Sequence, residues 1–114
     1  MDLGKSLKMV QLEINDLDWL YQSYMPFVST GGIYFSSAEE FEMGEGVLLV
    51  LTIRIDGIDK KYPIRTEVIW KQPRSGQKGY GVSFGEDEVG VMAKKMVENL
   101  LEKNLKSEQK TFTM

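Results

Sequence analysis

The sequence predicts a mainly β fold of the α+β type: a small six-stranded antiparallel β-barrel with a short helix in its N-terminal half and a longer C-terminal helix. Three observations predict this fold. Several segments alternate apolar and polar residues with a period of two, which is typical of half-buried strands. Residues 47–55 form a nearly continuous apolar run rich in β-branched side chains, as expected of a central strand. Residues 89–104 repeat apolar side chains at i, i+3 and i+4, which indicates one face of a helix.

The first strand and the first helix are predicted within residues 8–24. Residues 8–15 alternate apolar and polar side chains and read as a strand. Asn15 or Asp16 can then cap a short helix, because both side chains accept hydrogen bonds from the first free backbone N–H groups. Pro26 ends that helix, since the residue before a proline is forced out of the α region.

A turn at residues 29–32 leads into a second predicted strand at residues 33–35. Residues 36–46 are polar and acidic, and they are predicted to form a loop. The central strand that follows ends at Asp56 and Gly57, a pair that tolerates the positive φ angles of a tight hairpin. The order of these segments therefore predicts a hairpin between the central strand and the next one.

The second half of the chain supplies two more predicted strands, at residues 62–71 and 80–84, joined by a polar loop. Acidic residues 86–88 precede the C-terminal helix, where the helix dipole favours negative charge. Its predicted core face shares the helical spacing and consists of Val89, Met92, Ala93, Met96, Val97, Leu100, Leu101 and Asn104. The helix is predicted to end at Lys106.

The chain of 114 residues fits a single domain. We assign the domain to residues 1–106 and expect residues 107–114 to form a flexible tail, because they lack apolar periodicity. Phe112 and Met114 are the apolar residues of this tail, and we expect them to contact a partner. The alternative is that Phe112 folds back onto the barrel.

The composition excludes several kinds of function. The chain has no histidine and no cysteine, so Ser-His and Cys-His nucleophile pairs and the usual zinc sites are impossible. We therefore expect no enzymatic activity, no metal and no cofactor. The acidic loop residues lack the ligand spacing of a calcium loop and are expected to be solvated. They are Glu39, Glu40, Glu42 and Glu45.

Charge and hydropathy narrow the choice of partners. A net charge of −3 opposes nucleic-acid binding, which requires a positive surface. The apolar run at residues 47–53 is far too short to span a bilayer, and we expect no membrane insertion and a cytoplasmic location.

Three stretches of the sequence together resemble the PilZ-domain family, and within it the branch that acts in type IV pilus assembly. The first is residues 24–33 (YMPFVSTGGI). The second is residues 43–47 (MGEGV) with residues 67–70 (EVIW), and the third is residues 79–84 (GYGVSF). The last four residues are similar to the family's usual ending, although Phe112 stands where a histidine is expected.

The resemblance implies a site without the cyclic di-GMP motif. Family members that bind this nucleotide use an R-x-x-x-R pair near the N-terminus and a D/N-x-S-x-x-G turn. Here the first arginine is Arg54, and Phe27 stands in place of the Asp or Asn. Ser29, Gly31 and Gly32 are remnants of the turn. We therefore expect no cyclic di-GMP binding.

The resemblance also implies a function: a non-enzymatic adaptor in type IV pilus assembly and twitching motility. We expect the chain to be a monomer. Its implied partners are the pilus assembly ATPase (PilB-like) and a FimX-like signalling protein. Two alternatives stay open at this stage. A diverged cyclic di-GMP receptor is opposed by the missing arginines, and an oligonucleotide-binding small barrel is opposed by the acidic balance.

The candidate protein-binding residues are aromatic or apolar, and most lie at the ends of predicted elements. They are Tyr24, Pro26, Phe27, Trp70, Phe112 and Met114. Tyr24 and Trp70 are expected to be exposed, because both lie at the ends of predicted elements. Truncating a side chain there removes exposed area and does not open a cavity in the core. Phe27 either lies at an interface or fills the mouth of the barrel. Trp19, on the short helix, is expected to pack inward.

Overall fold

The computed structural model describes residues 7–72 and 78–112, with side chains described up to residue 103. The described residues form five strands and two helices. In chain order they are β1 (Lys8–Ile14), α1 (Leu17–Ser23), β2 (Gly32–Ser37), β3 (Gly46–Ile55), β4 (Ile58–Gln72), β5 (Lys78–Phe84) and α2 (Glu88–Phe112).

The strands form one sheet in the order β1-β3-β4-β5-β2. Its neighbours pair antiparallel except β1 and β3, which are parallel, with Val10 beside Leu49. The prediction of six antiparallel strands is therefore wrong on two points within the described residues: five strands are present, and one pair is parallel. The long connection from β1 to β3, through α1 and β2, lets the chain return to the same end of the sheet. Residue alternation predicts a strand but carries no information on its direction.

The sheet curls into a half-barrel with β1 and β2 at its edges, and its inner face forms the core with α1 and α2. Leu49 and Leu51 of β3 are fully buried, because the inner face receives the alternate residues of each strand. Ala93, Val97 and Leu100 of α2 pack into the same cluster. The outer face of the sheet is therefore the side opposite α2.

Two local predictions are confirmed in detail. Asp16 is the N-cap of α1, and its Oδ1 accepts a hydrogen bond of 3.2 Å from the backbone N–H of Asp18. Asp56 and Gly57 connect β3 to β4 with φ angles of 54° and 81°. These positive angles are the ones that a two-residue hairpin of this kind requires.

The C-terminal helix differs from its prediction in two ways. Met92 is half exposed, although its spacing placed it on the core face, because Ala93 and Val97 occupy the centre of that face and Met92 lies at its margin. The backbone of α2 continues to Phe112, past the predicted end at Lys106. The proposed domain boundary at Lys106 stays a prediction.

Candidate protein-binding surface

Tyr24 lies in the core, and the expectation that it is exposed is wrong. It follows the last turn of α1, and only 5% of its surface is accessible. Its ring packs against Phe84, with 6.5 Å between the ring centroids. Its hydroxyl donates a hydrogen bond of 2.7 Å to Oε2 of Glu98 on α2. The position at a helix end faces the second helix instead of solvent, and Tyr24 therefore joins α1 to α2.

The buried Tyr24 hydroxyl titrates abnormally. Burial, together with the hydrogen bond to Glu98 and its negative charge, raises the pKa of Tyr24 far above the ordinary value of 10.0. A raised pKa in the folded state means that this group stabilises the fold fully below the unfolded-state value. The contribution is lost only as the pH rises from about 10 towards the folded-state pKa.

Replacing Tyr24 with phenylalanine tests this hydrogen bond. We expect the free energy of unfolding to fall by about 1 kcal/mol at pH 7, because one buried hydrogen bond is lost and the ring remains. Between pH 9 and pH 11, the wild type should lose more stability than Tyr24→Phe, which has no phenol at this position to ionise. Urea denaturation at both pH values measures the difference. Equal losses in the two proteins would contradict the assignment.

The three residues after Tyr24 are one buried residue followed by two exposed ones. Met25 is buried, and its thioether lies over Gly32 and Gly81, where an added Cβ would come within 3.0 Å of it. Pro26 is exposed, and Phe27 is 80% exposed. Of the two readings of Phe27, the structure supports the surface position, because its side chain does not fill the barrel.

Trp70 lies on the outer face of the sheet and is 45% exposed. A β-bulge between Val68 and Trp70 shifts the register, so that Trp70 faces Gly81 on the outside while Val68 stays in the core. Strict alternation from Val68 would instead direct Trp70 inward. The bulge is therefore the local feature that exposes this indole.

Tyr34, on the edge strand β2, contacts Trp70 across the intervening strand β5. The two rings are tilted with centroids 5.3 Å apart, and the Tyr34 hydroxyl lies 3.4 Å from Oε1 of Gln72. Tyr34 crosses over Gly79, where any Cβ would overlap its hydroxyl. The glycines of β5 therefore leave the room above this strand that the Tyr34 and Trp70 side chains occupy.

Trp19 is 42% exposed, so the expectation that it packs inward is wrong. The seven-residue helix α1 buries Leu20 and Ser23, one turn apart, and Trp19 points about 100° away from Leu20. Trp19 and Tyr34 line a groove of about 400 Å³. The groove is formed by α1 and the edge strands β1 and β2, and its other lining residues are Leu12, Gln22, Ser23, Phe35 and Ser36.

We call Trp19, Tyr34 and Trp70 the aromatic surface. Trp19 and Tyr34 line the same groove, and Tyr34 contacts Trp70. None of the described residues that line the groove carries a charge. Partly exposed aromatic side chains in a neutral setting are typical of protein interfaces. Trp70 was predicted from the sequence as a binding residue, whereas Trp19 and Tyr34 were not; the placement of Tyr34 between the core residues Ile33 and Phe35 was the available signal.

The remnants of the turn motif have structural roles. Gly31 has a φ of 86°, and its carbonyl oxygen accepts a hydrogen bond of 2.8 Å from the backbone N–H of Phe84. An added Cβ on Gly32 would lie 2.7 Å from the carbonyl oxygen of Val82. Ser29 borders a small groove of about 200 Å³, which is also lined by Thr30, Gly85, Glu86, Val91, Lys94 and Lys95.

Two of the candidate residues have side chains outside the described residues. The backbone of Phe112 belongs to α2, but its side chain lies outside the described residues, as does all of Met114. Among the described residues, no three His, Cys, Asp or Glu side chains form a group that could hold a metal ion. Neither helix, over its described length, is long and apolar enough to cross a membrane.

The fold and this surface define a small, mainly β half-barrel with two helices that exposes aromatic side chains on the outside of its sheet. The chain belongs to the PilZ domain family, whose model matches residues 7–103. Membership implies an adaptor module of the cyclic di-GMP-binding type that engages protein partners. A search of curated proteins finds no match.

Proposed function

We propose that the chain is a non-enzymatic adaptor of type IV pilus assembly and twitching motility. It acts in the cytoplasm and binds the pilus assembly ATPase (PilB-like) and a FimX-like signalling protein. The observation that carries the proposal is the aromatic surface, with Phe27 and Pro26 exposed on the nearby turn. The three stretches that resemble the pilus-assembly branch support the same partners.

The exposed aromatic rings gain free energy when a partner covers them. Trp70 and Trp19 keep nearly half of their surface accessible in the isolated chain. Covering these rings removes apolar area from water, at about 25 cal/mol per Å². Tyr34 and the β5 glycines already hold Trp70 in place, so little side-chain entropy is lost when a partner binds.

The absence of histidine and cysteine from the sequence supports a non-enzymatic role. Phe112 and Met114 contribute additional partner contacts. Co-purification of the assembly ATPase with the full chain tests the proposal. A chain that binds neither the ATPase nor a FimX-like protein would contradict it.

A diverged cyclic di-GMP receptor is the second candidate, and one observation favours it. The groove beside the turn remnant carries Ser29, Thr30, Lys94 and Lys95, whose hydroxyl and ammonium groups are suited to phosphate. Its volume of about 200 Å³ is smaller than that of typical ligand sites. Lys94 also lies 3.9 Å from Glu98, which offsets part of its charge.

We expect no specific binding of cyclic di-GMP. The chain has no arginine before Arg54, and lysines do not form the bidentate contacts that hold both phosphates and guanine edges. Isothermal titration at micromolar protein should give no heat beyond dilution. A saturable isotherm of one or two nucleotides per chain, lost in Lys94→Ala, would instead favour the receptor.

A further inference from the structure

Strand β3 is apolar on both faces. Leu49 and Leu51 point into the core, whereas Leu48 and Val50 point outward and are only half-buried. An antiparallel sheet with one solvated face usually alternates apolar with polar residues, and apolar residues on both faces indicate that both faces become covered. No other described element covers the outer side of β3.

Strand register extends this apolar area to the neighbours of β3. Residues that are register partners lie side by side on the same face of a sheet. The rows on the outer face are Met9–Leu48–Arg65, Gln11–Val50–Pro63 and Glu13–Thr52–Lys61. We call these nine residues the outer face. Met9 is 54% exposed and Pro63 is exposed, so the apolar centre crosses all three strands.

The charges on the outer face and at its border are balanced. The outward charged residues of these three strands are Glu13, Asp59 and Glu67, and Arg54, Lys61 and Arg65. Three acidic and three basic side chains cancel, although the whole chain carries a net charge of −3. Two copies of the chain can therefore meet at this face without the repulsion that their net charges would cause elsewhere.

Glu13 and Lys61 occupy equivalent places on opposite sides of β3. Both are register neighbours of Thr52, one on β1 and the other on β4. They are two strands apart, about 10 Å in the sheet plane, and are too far apart for an ion pair within one chain. Glu13 instead pairs with Arg54, at 2.8 Å.

We propose that the outer face binds a second copy of the chain. The two copies are related by a two-fold axis that is parallel to β3 and lies between their outer faces. This rotation exchanges the positions of β1 and β4. Glu13 of each copy then faces the partner's Lys61, and Leu48 and Val50 each face their own counterpart. A two-fold interface must be complementary to itself, and this arrangement of charges meets that condition.

The proposed dimer is weak. The outer face spans three strands, so it buries less than the roughly 800 Å² per partner of a standard interface. Association should therefore depend on concentration. The proposal departs from the sequence-based expectation of a monomer, which rested on no particular residue.

Sedimentation velocity of the full chain, from about 10 μM to about 1 mM, tests the proposal across the affinity range of weak interfaces. We expect a reversible shift from monomer to dimer. Leu48→Glu should abolish the shift, and Met92→Glu, a matched change on α2, should leave it intact. A monomer at every concentration overturns the proposal, as does a dimer that survives Leu48→Glu in a folded variant.

A charge exchange tests the axis and does not rely on a half-buried position. Glu13→Lys and Lys61→Glu should each weaken the dimer severalfold. The two-fold axis creates the exposed Glu13–Lys61 ion pair twice, and each variant removes both of these pairs. The double variant should recover much of the lost affinity. A double variant that is weaker than both single variants overturns the proposed axis, and the proposal with it.

Discussion

Trp70→Ala is expected to weaken binding of the pilus assembly ATPase by at least about thirtyfold, which corresponds to about 2 kcal/mol. Trp70 is 45% exposed, lies on the side of the sheet opposite α2, and is held by Tyr34. Its truncation removes apolar area that a partner would cover and leaves the core intact. The melting temperature should therefore fall by only a few degrees, as expected for a loss of about 1 kcal/mol.

Met92→Ala is the matched control for Trp70→Ala. Met92 is 51% exposed, but it lies on α2, on the opposite side of the sheet from Trp70. Isothermal titration against the ATPase should give the wild-type affinity for this control. Unchanged affinity in Trp70→Ala, or an equal loss in Met92→Ala, would remove the aromatic surface from the binding site.

Tyr24→Ala is expected to destabilise the fold by about 3–5 kcal/mol, the usual cost of truncating a buried aromatic side chain. The change removes the ring that packs against Phe84 and the hydrogen bond to Glu98. Because small domains are stable by only about 5–15 kcal/mol, this variant should be partly unfolded at moderate temperature. Chemical denaturation followed by circular dichroism measures the effect.

Tyr21→Ala is the control for Tyr24→Ala, since Tyr21 lies on the same helix and is 61% exposed. Its stability should stay within about 0.5 kcal/mol of the wild type. A Tyr24→Ala variant as stable as Tyr21→Ala would contradict the buried position of Tyr24. Loss of binding in Tyr24→Ala reports on the partner only if the variant is shown to be folded.

The order of the strands and helices was predictable because it depends on local patterns. Alternation located β1 and β4, and the Asp56-Gly57 pair located the hairpin between β3 and β4. The direction of β1 beside β3 was not predictable, because side-chain alternation is the same in parallel and antiparallel strands.

The candidate site was predicted only in part, for a physical reason that differs at each residue. Trp70 is exposed because of a bulge, and one inserted residue is invisible in an alternating pattern. Tyr24 follows α1 but contacts Glu98, which is 74 positions away in the sequence. Trp19 is exposed because a seven-residue helix has room for only one buried stripe. Such long-range and register effects decide which aromatic side chains reach the surface.

Affinity capture with the full chain as bait, compared with a Trp19→Ala, Trp70→Ala double variant, tests the central claim most directly. The double variant removes two members of the aromatic surface and keeps the buried core, and circular dichroism first confirms that it is folded. Quantitative mass spectrometry of the captured proteins should recover the pilus assembly ATPase with the wild type and lose most of it with the double variant. Absence of the ATPase from the wild-type sample, or equal recovery with both baits, would contradict the account.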